Sequence, residues 1–309
     1  MSRGPAKKIE DITKGFAKHN YICSQQISTA VYLANELEKP ILIEGPPGVG
    51  KTELANTAAL HYKKALLRLQ CYEGLDETKA LYEWRYGKQL LYTQILKEQM
   101  QDVLEGAKGL KDSLDRLMEF EDIFFSEQFL ESRPLLQSLT STEGSVLLID
   151  EVDKADEEFE ALLLEILSEF QVSIPELGVK RAVVKPLVVL TSNNSREIGD
   201  ALKRRCLHLY IPFPDAKLER EIIKARVPEI SKNLQIKLVD FVQGLRELDL
   251  KKLPAISETI DWAKTLILLN AEEISEDLAK STLNVLLKHQ QDIEVVQKEI
   301  PRLVMAADR

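Results

Sequence analysis

The stretch Gly45-Pro46-Pro47-Gly48-Val49-Gly50-Lys51-Thr52 constrains this chain more than any other. It satisfies the pattern G-x-x-x-x-G-K-[ST]. Ile41-Leu42-Ile43 precedes it as a short apolar run that reads as a buried strand, and Leu54, Ala55 and Ala58 follow on one helical face. Strand, glycine-rich loop and helix start, in that order, are the setting this pattern needs. The glycines let the backbone curl until several N–H groups point into one concavity, and the helix N-terminus adds partial positive charge. A nucleoside triphosphate fits there. Lys51 is placed to reach the β- and γ-phosphates, and the Thr52 hydroxyl to ligate Mg²⁺.

With 309 residues, the chain can bury a full core in one large domain or two ordinary ones. Its 44% apolar and 29% charged residues describe a globular protein and exclude a disordered one. The formal charge is −9, and no dense Lys/Arg run is present, which disfavours duplex DNA as the main partner. Cys23, Cys71 and Cys206 are far apart and form no cluster with the four histidines, so they read as structural thiols in a reducing compartment. The N-terminus runs into charge instead of an apolar leader, and no apolar stretch approaches a membrane span. A cytoplasmic protein with no membrane partner is expected.

The residues before about Gln25 read as a loosely structured lead-in, 1–25. Four more apolar runs follow the first strand: Leu66–Leu69, Val146–Ile149, Leu187–Leu190 and Leu207–Ile211. The segment from Thr78 to Leu139 has a mostly helical pattern. Phe159, Leu162, Leu163, Ile166 and Phe170 mark an amphipathic helix, and Val172 to Val184 suggests a β-hairpin with an open loop. After Pro212-Phe213-Pro214 only helical faces recur, such as Leu238, Phe241, Val242 and Leu245. The chain therefore reads as an α/β nucleotide-binding domain over 26–215 with a parallel sheet, then a smaller all-helical domain over 216–309.

Three further signals sit at strand ends. Val146–Ile149 leads into Asp150-Glu151; in a parallel sheet the carboxyl end of a strand opens on the ligand crevice, so both acids face the phosphates. Asp150 suits the Mg²⁺ shell, and Glu151 the orientation of an attacking water. Asn193 ends the fourth strand, where an amide can hold that water without competing for the metal, although Asn there is also an ordinary turn former. Asp200 to Cys206 is a basic helix end running into the fifth strand. Its arginines either complement the helix dipole or include an arginine finger acting on a phosphoryl group.

The order Gly45–Thr52, Asp150-Glu151, Asn193 and Arg205, followed by a helical lid, resembles the AAA+ ATPases. Within them the chain resembles the MoxR branch, in particular its CoxD-like members. Tyr21-Ile22, Gln70–Gly74, Leu81-Tyr82-Glu83-Trp84, Arg133–Leu136 and Thr191–Asn194 carry that resemblance. It implies that Lys51 and Thr52 are the Walker A pair, with Gly45, Pro46, Pro47, Gly48, Val49, Gly50 and Glu53 around the nucleotide. It also makes Asp150 and Glu151 the Walker B pair, Asn193 sensor 1, and Arg205 the finger with Arg204 as understudy. Tyr21 and Ile22 match the region flanking the adenine. Trp84–Leu139 occupies the place of an insert, and Gln171–Pro186 that of a hairpin before sensor 1. One departure is visible: Ser257 stands where the branch commonly carries a sensor 2 arginine, leaving Lys251, Lys252 or no lid cation in that role.

The function so implied is an ATP-hydrolysing remodelling chaperone with ATP and Mg²⁺ as cofactors. A finger that acts in trans requires a homo-oligomer, expected as a hexameric ring. The resemblance adds a metalloenzyme client, of the carbon monoxide dehydrogenase type, under maturation or cofactor insertion, and a von Willebrand A-type partner. A DNA-linked motor or loader competes with this reading but would need a basic pore loop, whereas Glu119 to Glu131 is acidic. A nucleotide-dependent scaffold without turnover is the third alternative. The acidic, aromatic run Glu119–Phe125 reads either as a docking patch or as part of the insert's own core.

Overall fold

The computed structural model describes residues 4–92, 94, 126–175 and 177–307. Five parallel strands form the central sheet: β1 (Ile41–Glu44), β2 (Ala65–Gln70), β5 (Ser145–Asp150), β8 (Leu187–Ser192) and β9 (Leu207–Tyr210), in the spatial order β2-β5-β8-β1-β9. All three inner strands are apolar runs buried on both faces, as a parallel sheet covered by helices requires. Side chains alternate between the two sides. Leu42, Leu147, Ile149, Val188 and Leu190 pack with α5 (Pro134–Thr140) and α6 (Glu157–Glu169); Ile41, Ile43, Val146, Leu148 and Val189 pack with α1 (Pro5–Lys18), α2 (Gln25–Leu37) and α3 (Lys51–Tyr62).

The register fixes the site. Gln70 pairs with Asp150 and Glu44 with Ser192, so the carboxyl ends of four strands reach one rim of the sheet together. Each strand sits where its apolar run predicts, and so does the hairpin, which is β6 (Gln171–Ile174) with β7 (Gly178–Arg181).

One expectation fails. The lead-in is not loose: α1 is a fourteen-residue helix that buries Ile12 and Phe16. Phe16 meets Tyr21 and His61 edge-on at centroid distances of 5.9 and 5.6 Å. The stretch after Thr78, expected to be mostly helical, also carries a short strand pair among its described residues. The short helix α4 (Glu77–Ala80) gives way to β3 (Tyr82–Trp84), which pairs antiparallel with β4 (Leu130–Ser132). The acidic run 119–125 lies outside the described residues.

From Ala216 onward the described residues form helices: α7 (Asp200–Arg205) and β9 are followed by α8 (Ala216–Arg226), α9 (Lys232–Arg246), α10 (Ile256–Leu268), α11 (Glu276–Leu286) and α12 (Gln290–Ala307). Side-chain oxygens of Asp215, Ser231 and Ser275 cap three of them. Their apolar faces close on a core of their own around Phe241 and Trp262. A buried polar node ties this bundle to the preceding strand connection. Glu219 accepts two bonds from Arg246 (2.7 and 2.8 Å), one from Gln243 and one from Thr259. Gln243 and Arg246 also donate to the carbonyls of Pro214 and Pro254, and the guanidinium lies over the Phe213 ring.

Candidate nucleotide site

The loop between β1 and α3 takes the shape its glycines permit. Gly48 and Gly50 have φ of 76° and 92°, in the left-handed region that side chains resist. At Gly48 a Cβ would also lie 2.6 Å from both Ala255 Cβ and Ser257 Oγ, so the start of α10 presses directly on the loop. Lys51 folds back over it. The ammonium is buried and donates to Gly45 O (2.7 Å), Pro46 O (2.8 Å) and Asn193 Oδ1 (2.7 Å). Burial pushes its pKa down, against the pull of Asp153, Asp150 and Glu151.

The acids at the end of β5 occupy distinct positions. Asp150 is buried and accepts from Thr52 Oγ1 (3.1 Å), Thr191 Oγ1 (2.6 Å) and Arg68 Nη2 (2.6 Å). Glu151 turns the chain with φ of 56°, its N–H donating to Thr191 Oγ1. That turn directs its carboxylate to two amides: Asn193 Nδ2 donates to one oxygen at 3.1 Å and Gln70 Nε2 to the other at 3.2 Å. Asn193 thus bridges Lys51 and Glu151. Asp153 fixes the backbone that carries Asn193, accepting from Asn193 N, Ser195 N and Ser195 Oγ. Burial raises the Asp153 pKa, but these hydrogen bonds prevail and hold it below the usual aspartate value.

Around these groups lies a cavity of about 400 Å³. Of the residues expected from sequence, Tyr21, Ile22, Pro47, Gly48, Val49, Gly50, Lys51, Thr52, Glu53, Asp150, Glu151 and Asn193 line it. Gly45 and Pro46 are not among the lining residues; their carbonyls accept from Lys51. Tyr21 donates its hydroxyl to Gly50 O at 3.4 Å. One end is polar and loop-lined; the other is apolar, with Ile22, Leu218, Ile222, Ile256 and Ile260. That division matches a nucleotide's phosphates and base. The Thr52 hydroxyl and Asp150 carboxylate are hard oxygen donors, the type Mg²⁺ takes in small number alongside phosphates and water.

Arg205 is elsewhere. It caps the end of α7, exposed, with Nε donating to Ser168 Oγ (2.6 Å) and Nη1 to Ala201 O; neither it nor Arg204 lines the cavity. Lys251 and Lys252 are also absent from the lining, and their backbone amides donate to Asp292. Ser257 does line it. Sequence reasoning missed Arg68, Gln70, Asp153, Thr191 and Arg226. Gln70 and Thr191 were within reach, because both stand at the carboxyl ends of strands already identified. Asp153 carried a weaker signal, three residues beyond Asp150.

Residues 40–206 match the AAA domain family, dynein-related subfamily. The chain belongs to that family. An AAA domain is an α/β nucleotide-binding fold of the ATPase type, and this one places its glycine loop and strand-end acids around one cavity. An uncharacterized protein of Staphylococcus aureus (strain bovine RF122 / ET3-1) is 25% identical over 195 residues, spanning 61% of this chain and 61% of that protein. Among solved structures, a single-residue mutant of Thermotoga maritima RuvB is 18% identical with a TM-score of 0.47, over 84% of this chain and 68% of that one. The Thermotoga maritima RuvB Holliday junction branch migration motor is 19% identical with a TM-score of 0.45, over 84% and 67%. Among the described residues of the AAA protein, no helix is long and apolar enough to cross a membrane.

Proposed function

We propose that this chain is an ATP-hydrolysing remodelling chaperone of the MoxR type. The observation that carries the reading is the placement of Glu151. Its carboxylate is held by Asn193 and Gln70 beside Lys51, on the rim where Asp150 and Thr52 meet. Lys51 and the loop amides bind and orient the phosphates. Asn193 and Glu151 position the attacking water, and the Glu151 carboxylate takes up its proton in the transition state. Thr52 and Asp150 would hold Mg²⁺, which would neutralise phosphate charge when bound.

The chain divides between the α/β part over 26–215 and the helical lid over 216–309, with 1–25 leading in. The lid start packs closely on Gly48, which supports a coupling of the phosphate loop to the bundle through α10. Arg205, exposed and away from its own cavity, suits a finger offered to a neighbouring subunit. A homo-oligomeric ring, hexameric in the MoxR reading, follows from that role. The client is a metalloenzyme in maturation, with a von Willebrand A-type partner, in the cytoplasm; these rest on the sequence resemblance.

The test is a pair of variants. Lys51→Ala is expected to abolish ATP binding, and Glu151→Gln to retain binding while phosphate release stops. Wild-type turnover in Glu151→Gln would overturn the reading.

A further inference from the structure

Two cations line the cavity among the described residues, Lys51 and Arg226. Lys51 belongs to the phosphate loop, donating to its carbonyls and to Asn193. Arg226 comes from the opposite wall. It ends a stripe on α8 in which Leu218, Ile222 and Arg226, spaced four residues apart, all face the cavity. Among the described residues it makes one hydrogen bond, Nη1 to Glu53 Oε1 at 3.0 Å, which leaves most of its five N–H donors for another acceptor. Glu53 lies in the first turn of α3, the helix end whose amides and dipole favour an anion.

The start of α10 supplies no such charge. It presents Ser257 and Glu258, and the Glu258 carboxylate is taken up by Ala255 N and Ser257 Oγ. We infer that Arg226 is the lid's cation for the nucleotide, binding the phosphates nearest the ribose, and that Glu53 competes with them for the guanidinium. The inference rests on the cavity being an ATP site, as proposed above. It places the contact at Glu53, one residue past Thr52, whereas Asn193 and Glu151 meet the site at Lys51. The phosphates bound by Arg226 are therefore those ATP and ADP share.

A plain clasp between lid and loop helix is the competing explanation. Both partners are more than one-third exposed, and an ion pair so placed contributes little by itself. A guanidinium facing phosphate has a stronger partner, through paired charge-assisted bonds.

The experiment is an equilibrium titration of the full chain with ADP and with the slowly hydrolysed thio-analogue ATPγS, both with Mg²⁺. The variants are Arg226→Gln, Glu53→Gln and the two combined, each checked for its fold by circular dichroism. Arg226→Gln is expected to weaken both nucleotides about tenfold. Glu53→Gln is expected to tighten both a few-fold, a gain that disappears in the combined variant. Arg226→Lys, which keeps the charge but loses the planar fork, should fall between wild type and Arg226→Gln, and it stands in if Arg226→Gln does not fold. Unchanged affinity in Arg226→Gln would sink the inference. So would a loss for ATPγS alone, which marks a γ-phosphate contact, or equal losses in both single variants with none further in the pair, which mark a clasp. A Glu53→Gln gain that persists without Arg226 would remove the competition. If the wild-type chain binds neither nucleotide, the ATP-site reading fails instead.

Discussion

Asn193 donates its side-chain amide to Glu151 across 3.1 Å while its carbonyl oxygen accepts from Lys51 at 2.7 Å. One neutral residue therefore stands between the Glu151 carboxylate and the Lys51 ammonium and hydrogen-bonds to both.

Asn193→Ala removes both contacts at once. Phosphate release is expected to fall about 10²-fold, as for loss of one preorganised donor. Nucleotide affinity should change far less, because Lys51 keeps its two loop carbonyls. Steady-state kinetics read beside equilibrium binding separate the two effects; a loss confined to affinity would remove Asn193 from the chemistry.

Arg205→Ala should leave ATP affinity near wild type and reduce turnover about 10²–10⁴-fold, less than a full finger if Arg204 partly substitutes. Mixing Arg205→Ala with Glu151→Gln subunits should restore part of the activity, since some interfaces then pair an intact Glu151 with an intact Arg205. No recovery in confirmed mixed rings would place both defects in one subunit.

The hydrogen bonds on Asp153 give a pH signature. Its folded pKa lies below the unfolded value, so its contribution to stability is complete above about pH 4 and is lost as pH falls through the folded pKa. Asp153→Asn should cost about 1–3 kcal/mol at neutral pH, because an amide cannot accept all three N–H and O–H donors. The gap between variant and wild type should narrow in acid. Urea melts at pH 7 and pH 3.5 check the sign; a gap that widens at low pH contradicts it.

Glu219 is fully buried, and Arg246 is its only cationic partner among the described residues. Arg246→Ala leaves that carboxylate uncompensated and should destabilise the helical bundle by about 3–5 kcal/mol. Replacing both residues with apolar ones, Glu219→Leu with Arg246→Met, should recover much of the loss. Denaturation midpoints of the three proteins decide it.

What the sequence revealed and what it hid divide by contact range. The phosphate loop is local chemistry, eight consecutive residues flanked by a strand and a helix, and the inner strands announce themselves as unbroken apolar runs. Asp150 and Glu151 were legible because strand ends in a parallel sheet share one rim. Arg226 was not, because 173 residues separate it from Glu53 and nothing in its own helix distinguishes it from a solvated cation. The β3–β4 pair is three residues on each side, joined across a long stretch of chain, too short for a period to show. Helix α1 was obscured by its charge: half of PAKKIEDITKGFAK is polar, and its burial depends on Ile12 and Phe16.

That first helix has a consequence of its own. Phe16 is wedged against Tyr21, whose hydroxyl rests on the Gly50 carbonyl, and against His61, in the last turn of the helix that Lys51 begins. The N-terminal helix thus backs the cavity through Tyr21 rather than trailing as a tail. A ligand seated against Gly50 favours the docked form of this segment by the same free energy with which docking favours the ligand. The slow exchange of amide hydrogens along 5–18 with deuterated solvent would then report occupancy at a distance, in a helix with no residue on the cavity lining.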